Sequence, residues 1–272
     1  MTSRLAATFA GLKASGRTGL VTYVTAGDPD LARSGDILRA LARGGADVIE
    51  VGVPFSDPLA DGPTIQRASE RALEAGATLT TTLDMVRQVR RDVETPMVLF
   101  TYANPVARVG VDRFARDAAA AGVDGCLVLD LPLEEAEPLR AALDGVGLDT
   151  IFLLSPTTTS TRIREAARLG RGFLYVISRL GVTGVREAVA TGAEDLVRRV
   201  RAATSLPVAL GFGLSCPAHV AEVGRFADAA VVGSALVAVI ERDAARADLP
   251  GRVERFVRWL KGEGPALEDG PR

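Results

Sequence analysis

The sequence predicts a single (β/α)8 barrel preceded by a short helix, and three observations carry that prediction. Short apolar, β-branched runs alternate with helical patterns from end to end, as in parallel βαβ units. Eight such units exhaust the 272 residues, close to the roughly 250 that a closed barrel uses, which favours a barrel over an open doubly wound sheet. The runs are almost continuously apolar, as strands covered on both faces must be.

The elements follow in order. Ser3 is placed to cap a helix within residues 1–17, in which Leu5, Phe9 and Leu12 share one face. That pattern reads as an amphipathic helix docked on the barrel rather than a transit segment. Strands are expected at Leu20–Thr25, Val48–Val51, Met97–Tyr102, Cys126–Leu129, Thr150–Leu154, Phe173–Ile177, Val208–Leu210 and Ala229–Val232. Helical patterns fill the gaps, among them Leu31–Arg43, Leu79–Arg91, Val111–Ala121 and Ala193–Ala203. A joint recurs before three strands: Gly45-Ala46-Asp47, Gly122-Val123-Asp124 and Phe226-Ala227-Asp228. Glycine after a helix supplies the left-handed residue that ends it. No linker or low-complexity tract divides the chain, so residues 1–272 read as one domain, with 262–272 as a frayed tail.

Composition removes several function classes. With 47% hydrophobic and 24% charged residues and a net charge of -2, there is no basic footprint for nucleic acid. The longest apolar run, Ala229 to Ile240, is interrupted by Gly233 and Ser234 and is too short for a membrane span. Cys126 and Cys216 are the only cysteines, which reads as free thiols in a reducing, cytoplasmic setting. His219 is the single histidine, and Lys13 and Lys261 are the only lysines. A histidine metal site or a Schiff-base lysine in the barrel core is therefore not expected, and no metal is assigned.

Chemistry in a barrel of this kind belongs at the C-terminal ends of the strands. There, Val48-Ile49-Glu50-Val51-Gly52-Val53 puts a carboxylate inside an apolar strand. Buried and unpaired it is costly, so it is either catalytic or a member of a structural pair. Asp61 lies in the following loop, Pro54 to Pro63, where Asp61 or Gly62 is also suited to cap a helix starting at Pro63. Asp57 before Pro58 suits a turn. Later loops carry Ser178-Arg179-Leu180-Gly181-Val182-Thr183-Gly184, Gly211-Phe212-Gly213 and Gly233-Ser234. Glycines at these places suit a phosphate held by backbone N–H groups and a helix N-terminus, or else simply tight turns.

The segment from Glu50 to Gln66, EVGVPFSDPLADGPTIQ, resembles the signature of the tryptophan synthase α chains. The likeness extends over essentially the whole chain: Thr25-Ala26-Gly27-Asp28-Pro29, Tyr102-Ala103-Asn104-Pro105, Ser178 to Gly184, and Gly211-Phe212-Gly213. The resemblance implies cleavage of indole-3-glycerol phosphate to indole and glyceraldehyde 3-phosphate. It implies Glu50 as general acid/base and Asp61 as the acceptor for the indole N–H. Thr183 would meet Asp61 when its loop closes, and Tyr175 would lie near the substrate. Gly184, Gly213, Gly233 and Ser234 would hold the phosphate, and Phe212 is counted with the substrate-binding residues. Tyr23, Phe100 and Leu127 would line the indole pocket, Tyr23 standing where phenylalanine is usual and Phe100 where leucine is usual. The resemblance also implies a β chain as partner in an α2β2 assembly. Pyridoxal phosphate is expected on that partner and no cofactor on this chain.

Residue types agree with that chemistry. The carbon leaving in this retro-aldol cleavage is C3 of indole, a poor leaving group until protonated. A carboxyl group can deliver that proton, and each well-placed acid or base is worth about 10²–10⁴ in rate. Related phosphate-binding barrels fit less well: indole-glycerol phosphate synthase needs core lysines, and phosphoribosylanthranilate isomerase needs a cysteine where this chain has Tyr23 and Thr25. A stand-alone lyase that releases free indole would share every residue named above. A silent binding barrel would lack one of the two carboxylates.

Overall fold

The computed structural model describes residues 3–177, 192–211 and 213–267. Eight parallel strands close into a barrel in sequence order: β1 Gly19–Thr25, β2 Val48–Gly52, β3 Met97–Thr101, β4 Gly125–Val128, β5 Asp149–Leu154, β6 Leu174–Ile177, β7 Val208–Gly211 and β8 Ala229–Val232. Around them lie α1 Arg4–Ser15, α2 Leu31–Arg43, α3 Pro63–Glu74, α4 Leu79–Val89, α5 Ala103–Val109 and α6 Val111–Ala121. The remaining helices are α7 Glu137–Gly145, α8 Ser160–Leu169, α9 Ala193–Arg201, α10 Pro217–Val223, α11 Ser234–Asp243 and α12 Leu249–Leu260. Every expected strand is present, with ends shifted by one residue at most. No helix among the described residues is long and apolar enough to cross a membrane.

Register sets the geometry of closure. Thr25 pairs with Gly52, Gly52 with Phe100, Phe100 with Leu127 and Leu127 with Ile151. Carried on through β6, β7 and β8, the same register returns to residue 17, eight below the start, which is the shear of a (β/α)8 barrel. Alternate residues then face opposite ways. Val21, Val48, Val98, Leu127, Ile151, Phe173, Ala209 and Ala229 fill the barrel interior. Their neighbours, such as Leu20, Ile49, Leu99, Cys126, Leu174 and Leu210, pack outward under the helices.

The N-terminal helix closes the bottom of this interior. Ser3 Oγ accepts the N–H of Ala6 at 3.2 Å and donates to Asp149 at 2.6 Å, fixing the helix start. Leu5, Phe9 and Leu12 enter the interior cluster, and the Phe9 ring lies 5.4 Å from that of Phe173. Burying a side chain of this size contributes about 1.5–3 kcal/mol. The helix is a plug as well as an appendage.

The recurring aspartate at the helix-to-strand joints has a specific cause. Asp47, Asp124 and Asp228 each accept the N–H of a residue starting the preceding strand, from Leu20, Met97 and Val208 at 2.8–2.9 Å. Their own N–H groups donate to the carbonyls of the same three residues. Each carboxylate thereby satisfies a strand-end donor that would otherwise be orphaned. Gly45 and Gly122 have positive φ, as expected. The third joint has no glycine there, so the shared element is the aspartate. The tail also differs from expectation: Leu267 is buried against the outer core, so the chain is docked at least that far.

Candidate active site

The strand ends at the C-terminal mouth of the barrel enclose a pocket. Tyr23 of β1, Glu50 of β2, Phe100 of β3, Tyr175 of β6 and Val231 of β8 form its walls. Ile65 of α3, the loop residues Gly213 and Leu214, and Gly233-Ser234-Ala235 at the start of α11 complete it. The inward alternation explains the choice. Tyr23, Glu50, Phe100, Tyr175 and Val231 each lie two residues beyond an interior core residue on the same strand or, for Tyr175, immediately before it.

Glu50 is 1% exposed, and its Oε1 has no hydrogen-bond partner among the described residues. Burial alone pushes its carboxyl up to about 8. No cation among the described residues bonds it, so the structural-pair alternative finds no partner there. At neutral pH this group is a carboxylic acid facing a pocket, the state a proton donor requires.

Asp61 is held differently. The Tyr102 hydroxyl donates to its Oδ2 at 2.9 Å, and the Tyr102 ring stacks on Phe55 at 4.9 Å. Burial raises the Asp61 carboxyl to about 6, with the Tyr102 hydrogen bond opposing the rise. The residue is therefore mostly ionised at pH 7. Its capping alternative is also removed: Gly62 is the N-cap of α3, without a side-chain bond, and Pro63 occupies the first turn. Asp61 is not among the residues lining the pocket, but its charge is felt at both Tyr23 and Tyr175. Two carboxyl groups with separated titrations thus sit near one pocket, a neutral acid and an anion.

The aromatic wall is tight. Tyr23 and Phe100 meet edge to face, with centroids 5.2 Å apart and planes at 75°. A Cβ built on Gly52 would lie 2.3 Å from the Tyr23 hydroxyl, and one on Gly211 would lie 2.5 Å from that of Tyr175. Both glycines exist to admit a tyrosine. Free volume in the pocket is about 60 Å³, room for a few waters, and the aromatic side chains bound the space left for a ring. Leu127 departs from expectation: paired in register with Phe100, it is fully buried in the barrel interior and does not line the pocket.

Gly213 and the start of α11 form the polar end. Gly213 has φ of 73°, a left-handed conformation that favours glycine. Gly233 caps α11, whose first residues Ser234 and Ala235 line the pocket, and the N–H groups of a first turn have no intrahelical acceptors. With the helix dipole they make a place for an anion. Thr183, Gly184 and Phe212 lie outside the described residues. His219 is buried and accepts the Ser215 N–H at Nδ1, a structural role. No group of three metal-ligating side chains occurs among the described residues.

Sequence reasoning quoted Tyr102, Gly52 and Gly211 within motifs but assigned none of them the contact it makes. The glycines had a signal, since alternation places both inward at the mouth, where a missing side chain leaves room for a large one. Tyr102 had only its place after β3 in the Tyr102-Ala103-Asn104-Pro105 motif, which does not reveal its partner Asp61, 41 residues away in the chain.

Comparison with known proteins agrees with this geometry. The family model for the tryptophan synthase alpha chain matches residues 9–258. The tryptophan synthase alpha chain of Solibacter usitatus is 52% identical over 259 residues, covering 95% of this chain and 97% of that one. That of Geobacter sulfurreducens is 53% identical, covering 95% and 98%. Among solved structures, a chain of Mycobacterium tuberculosis tryptophan synthase superposes with a TM-score of 0.87 at 40% identity, covering 97% and 98%. Tryptophan synthase subunit alpha from Legionella pneumophila does so at 0.87 and 36% identity, with the same coverage. Fold, carboxylate pair and relatives converge: the chain belongs to the tryptophan synthase α chain family and is a carbon–carbon lyase that cleaves indole-3-glycerol phosphate.

Proposed function

We propose that Glu50 is the general acid–base of this cleavage and Asp61 the carboxylate that receives the indole N–H. The observation carrying the assignment is the buried Glu50 carboxyl, unpartnered at Oε1 and raised to about 8 beside the pocket. Protonated Glu50 gives its proton to indole C3, leaving an iminium at the ring nitrogen. The ionised Asp61 balances that charge through the N–H. The resulting Glu50 carboxylate then takes the proton of the adjacent glycerol hydroxyl. The O–H electron pair becomes the aldehyde C=O, and the C–C pair returns to the ring, giving indole and glyceraldehyde 3-phosphate. In this reading Gly213, Gly233 and Ser234 hold the phosphate, and Tyr23, Phe100 and Tyr175 orient the rest, which supplies much of the remaining rate. Gly184 and Phe212 are proposed for the same shell, and Thr183 as a partner of Asp61, whereas Leu127, buried in the barrel interior, is left out of it.

The partner proposed is a separate β chain carrying pyridoxal phosphate, in an α2β2 assembly that receives indole directly. Leu59, 84% exposed, stands in the loop ending at Asp61, and an apolar side chain so placed suits a protein contact. Phe55 in the same loop stacks on Tyr102, which holds Asp61, so gripping the loop would bear on the catalytic carboxylate. A cytoplasmic setting accompanies this reading. The test is indole release from indole-3-glycerol phosphate, with and without a tryptophan synthase β chain. Glu50→Gln is expected to lose about 10²–10⁴ in rate while still binding glycerol phosphate. Activity within tenfold of the unmodified chain would overturn the role of Glu50. Full activity unaffected by the β chain would favour a stand-alone lyase.

A further inference from the structure

We propose a second ligand site on the opposite, N-terminal face of the barrel, built for a small polyanion of the pyrophosphate or nucleoside diphosphate class. A groove of about 560 Å³ runs there between α1 and the residues that lead into β1, β7 and β8, within the size range of small-molecule sites. Four cations line it, Lys13, Arg17, Arg201 and Arg225, against a single carboxylate, Asp228. A local excess of three positive charges stands out in a chain whose net charge is -2.

Structural duties do not account for these charges. The carboxylate of Asp228 is already committed, accepting the Val208 N–H at 2.8 Å and Arg201 at 3.0 Å. Arg17 has only a long contact of 3.7 Å to Asp47, whose other oxygen accepts from Leu20 and faces Lys261 at 3.7 Å. Lys13 and Arg225 have no carboxylate within salt-bridge distance among the described residues. The hydroxyls of Thr18 and Ser205, on the same groove, likewise have no hydrogen-bond partner there. Thr18 is packed against Gly224, where a Cβ would lie 1.9 Å from its Oγ1, so a side chain there would displace that hydroxyl.

Two uncommitted cations, a third loosely held and two free hydroxyls match an anion with several oxygens and more than one charge. The concavity and a net charge of -2 favour a small molecule over nucleic acid. Neither lysine of this chain serves the C-terminal mouth: Lys13 lines this groove and Lys261 bonds the Gly45 carbonyl on the same face.

The test is titration calorimetry with pyrophosphate at low salt, after glycerol phosphate has saturated the site at Gly213 and Gly233. One further equivalent of pyrophosphate should bind, and its affinity should fall with ionic strength. The Lys13→Ala/Arg225→Ala variant should bind it at least about tenfold more weakly, as expected for loss of two charge-assisted contacts. Its lyase rate and melting temperature should stay unchanged, which shows that the fold is intact. Adenosine diphosphate in parallel distinguishes the sources: tighter binding than pyrophosphate means the nucleoside is held, equal binding means the phosphates suffice. No binding once the first site is filled, or equal affinity in the double variant, overturns the proposal.

Discussion

Glu50→Gln, the substitution proposed above to cost most of the lyase rate, should also stabilise the fold at alkaline pH. Burial moves the Glu50 carboxyl from its usual 4.5 to about 8. Between those values the native state keeps a proton that the unfolded chain has released, so stability falls as pH rises. The fall is about 1.4 kcal/mol per pH unit, with a ceiling of about 5 kcal/mol across the window. Water entering the pocket mouth reduces this, and about half the ceiling is the expected size. Glutamine does not titrate, so this loss disappears. Its amide brings two buried N–H donors at about 1–3 kcal/mol, but that cost does not depend on pH.

The quantity to measure is therefore the difference in melting temperature between variant and unmodified chain, at pH 5, 7 and 9. Groups other than Glu50 titrate alike in both proteins and cancel. With an unfolding entropy near 2.1 cal/mol/K per residue, the difference should rise by roughly 3–7 °C in favour of the variant between pH 5 and pH 9. Parallel curves across that range would refute the reasoning, because they would mean that Glu50 ionises in the folded chain as easily as in the unfolded one.

Tyr102→Phe removes the hydrogen bond that holds Asp61 ionised, so the acid flank of kcat/KM should move above pH 6, with a larger loss at pH 6 than at pH 8; an unmoved flank would disconnect Asp61 from it. Gly233→Asp places a good helix cap where the fold tolerates a side chain, the nearest atom being 3.4 Å from its Cβ, yet puts a negative charge against the phosphate. Glycerol phosphate binding should weaken at least about tenfold while indole binding changes little, and equal losses would remove the phosphate role. Phe100→Leu should widen the 60 Å³ pocket and improve kcat/KM for ring-methylated substrates relative to the parent by about tenfold. An unchanged ratio would show that Phe100 does not limit the slot.

Much of this architecture was legible in the sequence because the signals were local. Strand positions follow from short apolar runs, and the N-terminal helix from Ser3 with Leu5, Phe9 and Leu12 on one side. Glu50 was visible as a charge in an apolar strand. What stayed hidden depends on contacts between distant segments. The Tyr102–Asp61 bond, the two tyrosines lying over Gly52 and Gly211, and the burial of Leu127 follow from barrel register and side-chain volume. The joint motif was half legible. Its glycine suggested a helix end, whereas the element present at all three joints is an aspartate serving a strand on its far side.

One alternation explains why the proposed acid–base carboxyl stands where it does. On β2, Val48 faces the interior, and Glu50, two residues on, faces the same way one step nearer the mouth. Val21 and Tyr23 repeat this on β1, and Phe173 and Tyr175 at β6. The lower member of each pair is apolar and sealed by α1; the upper member carries a polar atom and meets the pocket. Moving a carboxyl two residues down would bury it in the plugged core, with no substrate to receive its proton. Moving it two residues up would place it at Gly52, over which the Tyr23 ring lies. Moving it one residue either way would turn it outward under the helices, as Ile49 and Val51 are. Only the position of Glu50 on this strand combines burial deep enough to hold the proton at neutral pH with a face open to the pocket.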